Sequence, residues 1–343
     1  MAKVSIKDLS KGELEVILAE LGEKRYRARQ IFRWLYKAGV KSFDEMTDIP
    51  HGFREKLKTK FHITGFTLLD SRSSLSDGTT KYLFKLEDAN TIESVFIPEG
   101  KRNTICLSSQ VGCKFGCSFC ASAPFGFVRN LKASEILDQV ISVRSRNRAS
   151  PITNLVFMGI GEPLDNYDNV LNAVRMLNDK DAFNIGARRI TISTCGIIPG
   201  MERLKKESLQ IELSVSLHSA DDRKRTGLVP INKIYPLADL MRACRGYIDQ
   251  TNRIITFEYV LLKGMNSSKY DALKLARLLK GMKCKVNTIS YNQVRAKGYE
   301  APPGSNIKIF LETLKKHSIH VMHRKSKGED IDAGCGQLRI SRL

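Results

Sequence analysis

Cys113-Lys114-Phe115-Gly116-Cys117-Ser118-Phe119-Cys120 puts three thiols into eight residues at the spacing C-x3-C-x2-C. Thiolates so close together can take three corners of a cubane iron–sulfur cluster and leave the fourth iron open to chelate a small molecule. A structural zinc site is the competing reading. It normally takes four protein ligands, usually from paired C-x2-C units, and the chain has no second unit. Working outward, the run follows a strand expected at 104–108, and a strand–loop–helix rhythm continues to about residue 290. Further strands are expected at 154–158, 190–193, 212–217, 255–261 and 286–290, with helices such as 133–144 and 237–247 between them. That alternation implies parallel strands with crossover helices. The expected fold is α/β, a partial (β/α)6 barrel whose site lies at the strand C-terminal ends.

Upstream of the barrel the pattern changes twice. Alternating runs at 80–86 and 92–97, separated by Asp88-Ala89-Asn90, read as antiparallel strands in a β-rich extension over 65–98. Residues 1–64 read as a small helical domain, with helices at 7–21, 26–38 and 53–61 punctuated by Gly22, Gly39 and Asp48-Ile49-Pro50. The core with its C-terminal cysteine segment then spans 99–343. Arg25, Arg29, Arg33 and Lys37 recur every four residues and share one helix face, either a solvated stripe or an RNA-docking surface.

Net charge is +20, from 56 Lys and Arg against 36 Asp and Glu, which makes a phosphate polymer the leading partner class. No apolar run approaches the roughly 18 to 20 residues of a membrane span. The first residues lack the pattern of an export signal, so a cytoplasmic location is expected. In that compartment the eight cysteines are expected to serve metal binding or catalysis rather than structural disulfides. Cys195, Cys244 and Cys284 are expected to be small buried hydrophobes.

Several further segments join the cysteine run. They are Cys106-Leu-Ser-Ser-Gln-Val-Gly-Cys113, Gly159-Ile-Gly-Glu-Pro-Leu164, Ser216-Leu-His-Ser219, Val229-Pro-Ile-Asn232 and Asp330-Ile-Asp-Ala-Gly-Cys335-Gly-Gln-Leu338. With Phe32-Arg-Trp-Leu-Tyr36 and Phe43-Asp-Glu-Met46 they run nearly the length of the chain. In this order they resemble the RlmN/Cfr family of radical S-adenosylmethionine RNA (adenine) methyltransferases, and its RlmN branch more than its Cfr branch. The resemblance implies a [4Fe-4S] cluster on Cys113, Cys117 and Cys120. It also implies an S-adenosylmethionine pocket formed by Gly161, Glu162, Ser193, Ser216, Leu217, His218 and Asn292. Cys335, Cys106 and Glu93 then match the family's catalytic positions. In the resembled enzymes the first thiol takes a methyl from one S-adenosylmethionine, and a radical from a second abstracts hydrogen from it. The carbon radical adds to adenine, and the second thiol releases the product through a transient disulfide. The carboxylate matches the proposed proton acceptor. Implied partners are 23S ribosomal RNA, with transfer RNA as a further substrate, and a reducing donor such as flavodoxin or ferredoxin.

The chain departs from the family pattern at Ala121-Ser122-Ala123-Pro124, at Gln293 where Pro is usual, and at Gly334 where the family has Ala. Pro163 favours methylation at adenine carbon 2 over the Cfr-type carbon 8. The remaining alternatives are a divergent radical enzyme on another substrate and a non-catalytic, metal-stabilised RNA-binding protein.

Overall fold

The computed structural model describes residues 3–294 and 297–339. Its strands are β1 (Val4–Ser5), β2 (Phe61–His62), β3 (Thr67–Ser73), β4 (Thr80–Lys85), β5 (Thr91–Glu99), β6 (Arg102–Cys106), β7 (Gln110–Gly112), β8 (Phe127–Asn130), β9 (Asn154–Phe157), β10 (Ile190–Thr194), β11 (Glu212–Ser216), β12 (Ile255–Leu261), β13 (Cys284–Ser290) and β14 (Val321–Arg324). The helices are α1 (Lys11–Glu20), α2 (Tyr26–Phe32), α3 (His51–Lys60), α4 (Ala133–Arg146), α5 (Tyr167–Asn178), α6 (Ile198–Leu204), α7 (Asp222–Leu228), α8 (Leu237–Thr251), α9 (Lys269–Leu279) and α10 (Gly304–Lys316).

Ten strands form one sheet in the order β14-β13-β12-β11-β10-β9-β6-β5-β4-β3. From β14 to β6 every neighbour is parallel, and β3 to β6 are antiparallel. The six expected parallel strands are all present, and β14 adds a seventh. Its Val-Met-His-Arg sequence is mostly exposed at the sheet edge, so it carries no buried apolar run to announce it. The order ends at β14 and β3 without closing, so the barrel is partial.

Three helix boundaries differ from expectation. The first helix is split: residues 6–8 form a single 3-10 turn, Leu9 is extended, and Ser10 caps α1 through a reciprocal bond with Glu13. After Phe32 the second helix widens into a π-turn over Arg33–Ala38, which Gly39 ends at φ 73°. Pro50 starts the third helix two residues early, at His51. The helical region shares the barrel's core rather than a separate one: Ile6, Leu14, Ile31 and Leu57 belong to the same apolar cluster as Leu137, Ile192 and Phe257. A buried Lys7–Asp138 ion pair and the bond from Arg144 to the Tyr36 carbonyl pin that region to α4. No helix among the described residues is long and apolar enough to cross a membrane.

Candidate active site

The strand register gathers the predicted site. Cys106 ends β6, Gly159 to Glu162 follow β9, Ser193 lies in β10, Ser216 ends β11 and Asn292 follows β13. All therefore stand at the C-terminal mouth, where backbone groups are free to meet a ligand.

The cysteine loop is carried on a small ribbon in which β7 pairs antiparallel with β8. Its ends are held by bonds from Cys113 N–H to Gly126 O (2.8 Å) and from Ser118 N–H to Leu228 O (3.0 Å). The three thiols are half-buried. Burial first, with Glu162 and Cys120 adding repulsion, pushes Cys113 up to about 12. Cys117 is raised by burial and then by Cys120 and Cys113, and Cys120 is raised by burial. Backbone N–H groups of Phe115 and Ser122 already point at the Cys113 and Cys120 sulfurs, as they do in sites that stabilise thiolate. Among the described residues no group of three His, Cys, Asp or Glu side chains converges as ligands of a single metal ion. Cubane ligands hold separate irons and stand farther apart than the ligands of one ion, so three neighbouring thiols that do not converge on a point fit a cluster better than one zinc ion.

Next to the thiols lies a second fitted surface. The Glu162 carboxylate is buried and accepts bonds from Leu164 N–H (3.0 Å) and Cys195 N–H (2.7 Å). Burial raises its pKa and those bonds oppose the rise; a cationic ammonium placed against it would favour the charged carboxylate. Gly161 is held at φ 102°, and a Cβ there would meet the Gln110 side chain at 2.5 Å, so only glycine fits. Across the mouth, His218 also takes a positive φ (55°) and stacks edge-on to Phe119 of the cysteine loop at 4.8 Å. Burial pulls its pKa down to about 3, and its neutral Nδ1 accepts from Val260 N–H at 3.1 Å. Leu217 is fully buried, and Ser193 and Ser216 complete the wall from β10 and β11. The buried Asn292 Oδ1 has no partner among the described residues, which leaves an acceptor for a bound group. Together the buried carboxylate, the glycine cradle and this orphan acceptor fit an amino-acid–nucleoside ligand.

The third group is built by the C-terminal segment folding back over the mouth. Ala121 N–H donates to Gly336 O (2.7 Å), Ser122 Oγ to Leu338 O (2.7 Å), and Asn292 Nδ2 to Cys335 O (3.1 Å). Two departures from the family pattern are thus part of this clamp. Ser122 supplies one tie, and Gly334 permits another, because a Cβ there would meet Asn292 Nδ2 at 2.5 Å. Ala333 and Leu338 pack on Cys106, which brings the two remote cysteines into one neighbourhood. Cys335 is exposed, yet its thiol is pushed up to about 11 by burial and then by Glu258. Burial raises Cys106 further, and Cys335 contributes. All eight cysteines are free thiols and none is paired. Cys195 and Cys244 are buried as expected, whereas Cys284 is only half-buried at the start of β13.

Glu93 reaches the site through the antiparallel extension. Val95 pairs with Cys106, so Glu93 projects past the end of β6 into the mouth. Its buried carboxylate contacts Lys81 Nζ (3.2 Å) and accepts from Arg339 N–H (2.9 Å). Burial raises its pKa and Lys81 counters this.

Sequence reasoning missed several members. Lys81 was within reach of it, because the hairpin over Asp88-Ala89-Asn90 sets β4 against β5 and carries residue 81 near residue 93. Gln110 lies inside the segment from Cys106 to Cys113. Its buried amide accepts from Glu162 N–H (2.8 Å) and donates to Asp165 (2.8 Å). Glu258 gave no signal within its apolar run, and it faces Ser214 and Asn287 across neighbouring strands.

An open parallel barrel with a three-cysteine loop after its first strand and a glycine–glutamate loop after its second defines a radical S-adenosylmethionine enzyme. The Radical SAM superfamily model matches residues 107–276, and the ribosomal RNA large subunit methyltransferase N-terminal domain model matches 4–63. A probable dual-specificity RNA methyltransferase RlmN from Thermoanaerobacter sp. (strain X514) is 47% identical over 98% of this chain and 97% of its own. A relative of the same name from Bacillus cytotoxicus is 46% identical over 98% and 93%. The crystal structure of a radical SAM methyltransferase from Sphaerobacter thermophilus superposes with a TM-score of 0.93 at 43% identity, covering 98% of this chain and 99% of that one. The chain belongs to the RlmN family of radical S-adenosylmethionine RNA methyltransferases.

Proposed function

We propose that the protein methylates carbon 2 of an adenosine in 23S ribosomal RNA, and in transfer RNA as a second substrate, through a methyl carried on Cys335. The observation that carries this reading is the convergence of Cys335, Cys106 and Glu93 at one mouth beside the cysteine loop. Cys113, Cys117 and Cys120 would hold a [4Fe-4S] cluster. Gly161, Glu162, Ser193, Ser216, Leu217, His218 and Asn292 would hold S-adenosylmethionine. When bound, these groups supply one-electron chemistry and the methyl donor. Adenine carbon 2 is not nucleophilic, so polar methyl transfer alone cannot serve it.

Each side chain has a role its surroundings support. Glu162, fixed by two backbone N–H groups, orients the ammonium of the methyl donor. Neutral His218 lines the pocket without adding charge. Cys335, on a segment with glycines at 334 and 336, accepts the methyl and presents it to the base. Glu93, raised by burial, takes the proton from the ring carbon. Cys106, on losing its proton, then attacks the Cys335 sulfur. The sulfur–carbon bond breaks with its electron pair going to the carbon, which takes up a proton to complete the product methyl. The transient disulfide between the two cysteines is left for an external reductant. Residues 1–64 and 65–98 act as accessory units to the core at 99–343. The exposed Arg25, Arg29, Arg33 and Lys37 would contact RNA phosphates, although Arg29 also pairs with Asp181 at 3.3 Å. A soluble one-electron carrier such as flavodoxin or ferredoxin would reduce the cluster in the cytoplasm.

The test is nucleoside mass spectrometry of 23S ribosomal RNA and transfer RNA after anaerobic incubation with the reconstituted enzyme, S-adenosylmethionine and a reductant. 2-Methyladenosine is the expected product. 8-Methyladenosine, or no methylated adenosine from an iron-loaded enzyme, would overturn the assignment.

A further inference from the structure

Arg225 is the largest fully buried side chain among the described residues, and its position has a consequence for electron transfer. Its guanidinium donates to Asn232 Oδ1 (2.6 Å), Cys195 O (2.7 Å) and Ser216 O (3.3 Å), all neutral acceptors. Its Nε is buried without a partner, and no carboxylate forms an ion pair with it among the described residues. Asp222 is linked to it through Asn232, whose Nδ2 donates to Asp222 Oδ1 at 3.0 Å. An unpaired buried cation is costly, and such a charge is retained where an anion comes to balance it.

The packing around Arg225 indicates where that anion binds. Arg225 lies one turn before Leu228, whose carbonyl accepts from Ser118 N–H between Cys117 and Cys120. Cys117 packs against the apolar cluster that contains Leu228, Val229 and Cys195, the residue whose carbonyl Arg225 holds. The cation thus sits directly beneath the cysteine loop. A cubane bound by three thiolates is net negative, and one-electron reduction adds another negative charge. A fixed buried cation nearby favours the reduced state over the oxidised one.

Resting on the reading of these cysteines as cluster ligands, we propose that Arg225 is a positioning charge that raises the reduction potential of the cluster. The electron comes from the one-electron donor and stays on the cluster, and no bond to Arg225 forms or breaks.

The test is the midpoint potential of the anaerobically reconstituted enzyme without RNA, followed by electron paramagnetic resonance during reductive titration. Arg225→Gln removes the charge. It is expected to lower the reduced-to-oxidised ratio at a given potential by about tenfold, or about 59 mV for a one-electron couple. Asp222→Asn removes a partly compensating negative charge and is expected to move the ratio the opposite way, by about threefold because that carboxylate is exposed. Opposite shifts for opposite charge changes are beyond a purely structural role. An unchanged midpoint in an Arg225→Gln enzyme that still holds four irons overturns the proposal. If that variant does not hold its irons, Asp222→Asn decides the matter, where a rise supports the proposal and no rise overturns it. Wild-type protein that takes up no iron contradicts the cluster reading instead.

Discussion

Cys335→Ala is expected to abolish RNA methylation, a loss of about a thousandfold or more, in line with removal of a group that forms the covalent intermediate. The fold should survive it. Cys335 is exposed, and the bond that fixes its place is made by its carbonyl to Asn292, which alanine retains. The cluster should survive as well, since Cys335 is not among its proposed ligands. The variant should therefore bind iron and S-adenosylmethionine normally while retaining no methyl on the protein. Digestion and mass measurement of the peptide containing residue 335 checks this directly. Wild type should carry a methyl mass after incubation with S-adenosylmethionine, and the variant none. An active Cys335→Ala enzyme would contradict the carrier role.

The second large effect is loss of the cluster. Replacing Cys113, Cys117 and Cys120 together by Ala should reduce iron from about four per chain to none and remove the broad visible absorption of an iron–sulfur protein. The same change should remove methyl from RNA altogether. The loop is anchored by Cys113 N–H, Ser118 N–H and Ala121 N–H, all backbone groups, so the substitutions should leave the barrel folded. Stoichiometric zinc in the wild-type protein, with no iron after anaerobic reconstitution, would return the site to a structural metal.

Much of this arrangement was legible in the sequence, for identifiable reasons. The barrel strands announced themselves through buried, β-branched runs such as Ile-Thr-Phe-Glu-Tyr-Val-Leu at β12, where the expected and observed bounds coincide. The cysteine spacing and the Gly-Glu-Pro loop stood out because few chemistries need those residues in that order. The strand β14 was not legible, since an exposed edge strand buries too little to impose a pattern. Nor was the break at Leu9, which depends on the cap that Ser10 and Glu13 form. Arg225 lay in plain view within Asp-Arg-Lys-Arg-Thr, a run that reads as a solvated charge cluster. Only the packing of α7 under the cysteine loop singles it out, because burial is a property of the fold and not of the local sequence. The clamp formed by Ser122, Gly334 and Asn292 is of the same kind. Ser122 and Gly334 look independent along the chain, and the structure places both in the ties that hold the C-terminal segment.

Two thiols far apart in sequence must act in turn for the proposed reaction to run, one carrying the carbon and the other attacking the sulfur that carries it. Cys106→Ala leaves the proposed methyl carrier and cluster ligands in place but removes the thiol proposed to release the product. Incubated with S-adenosylmethionine, reductant and RNA, and then treated with nuclease, this variant should show an adenosine-derived mass on the peptide containing Cys335. A Cys106→Ala protein that releases methylated RNA at the wild-type rate, with no such mass on that peptide, would contradict the two-thiol mechanism.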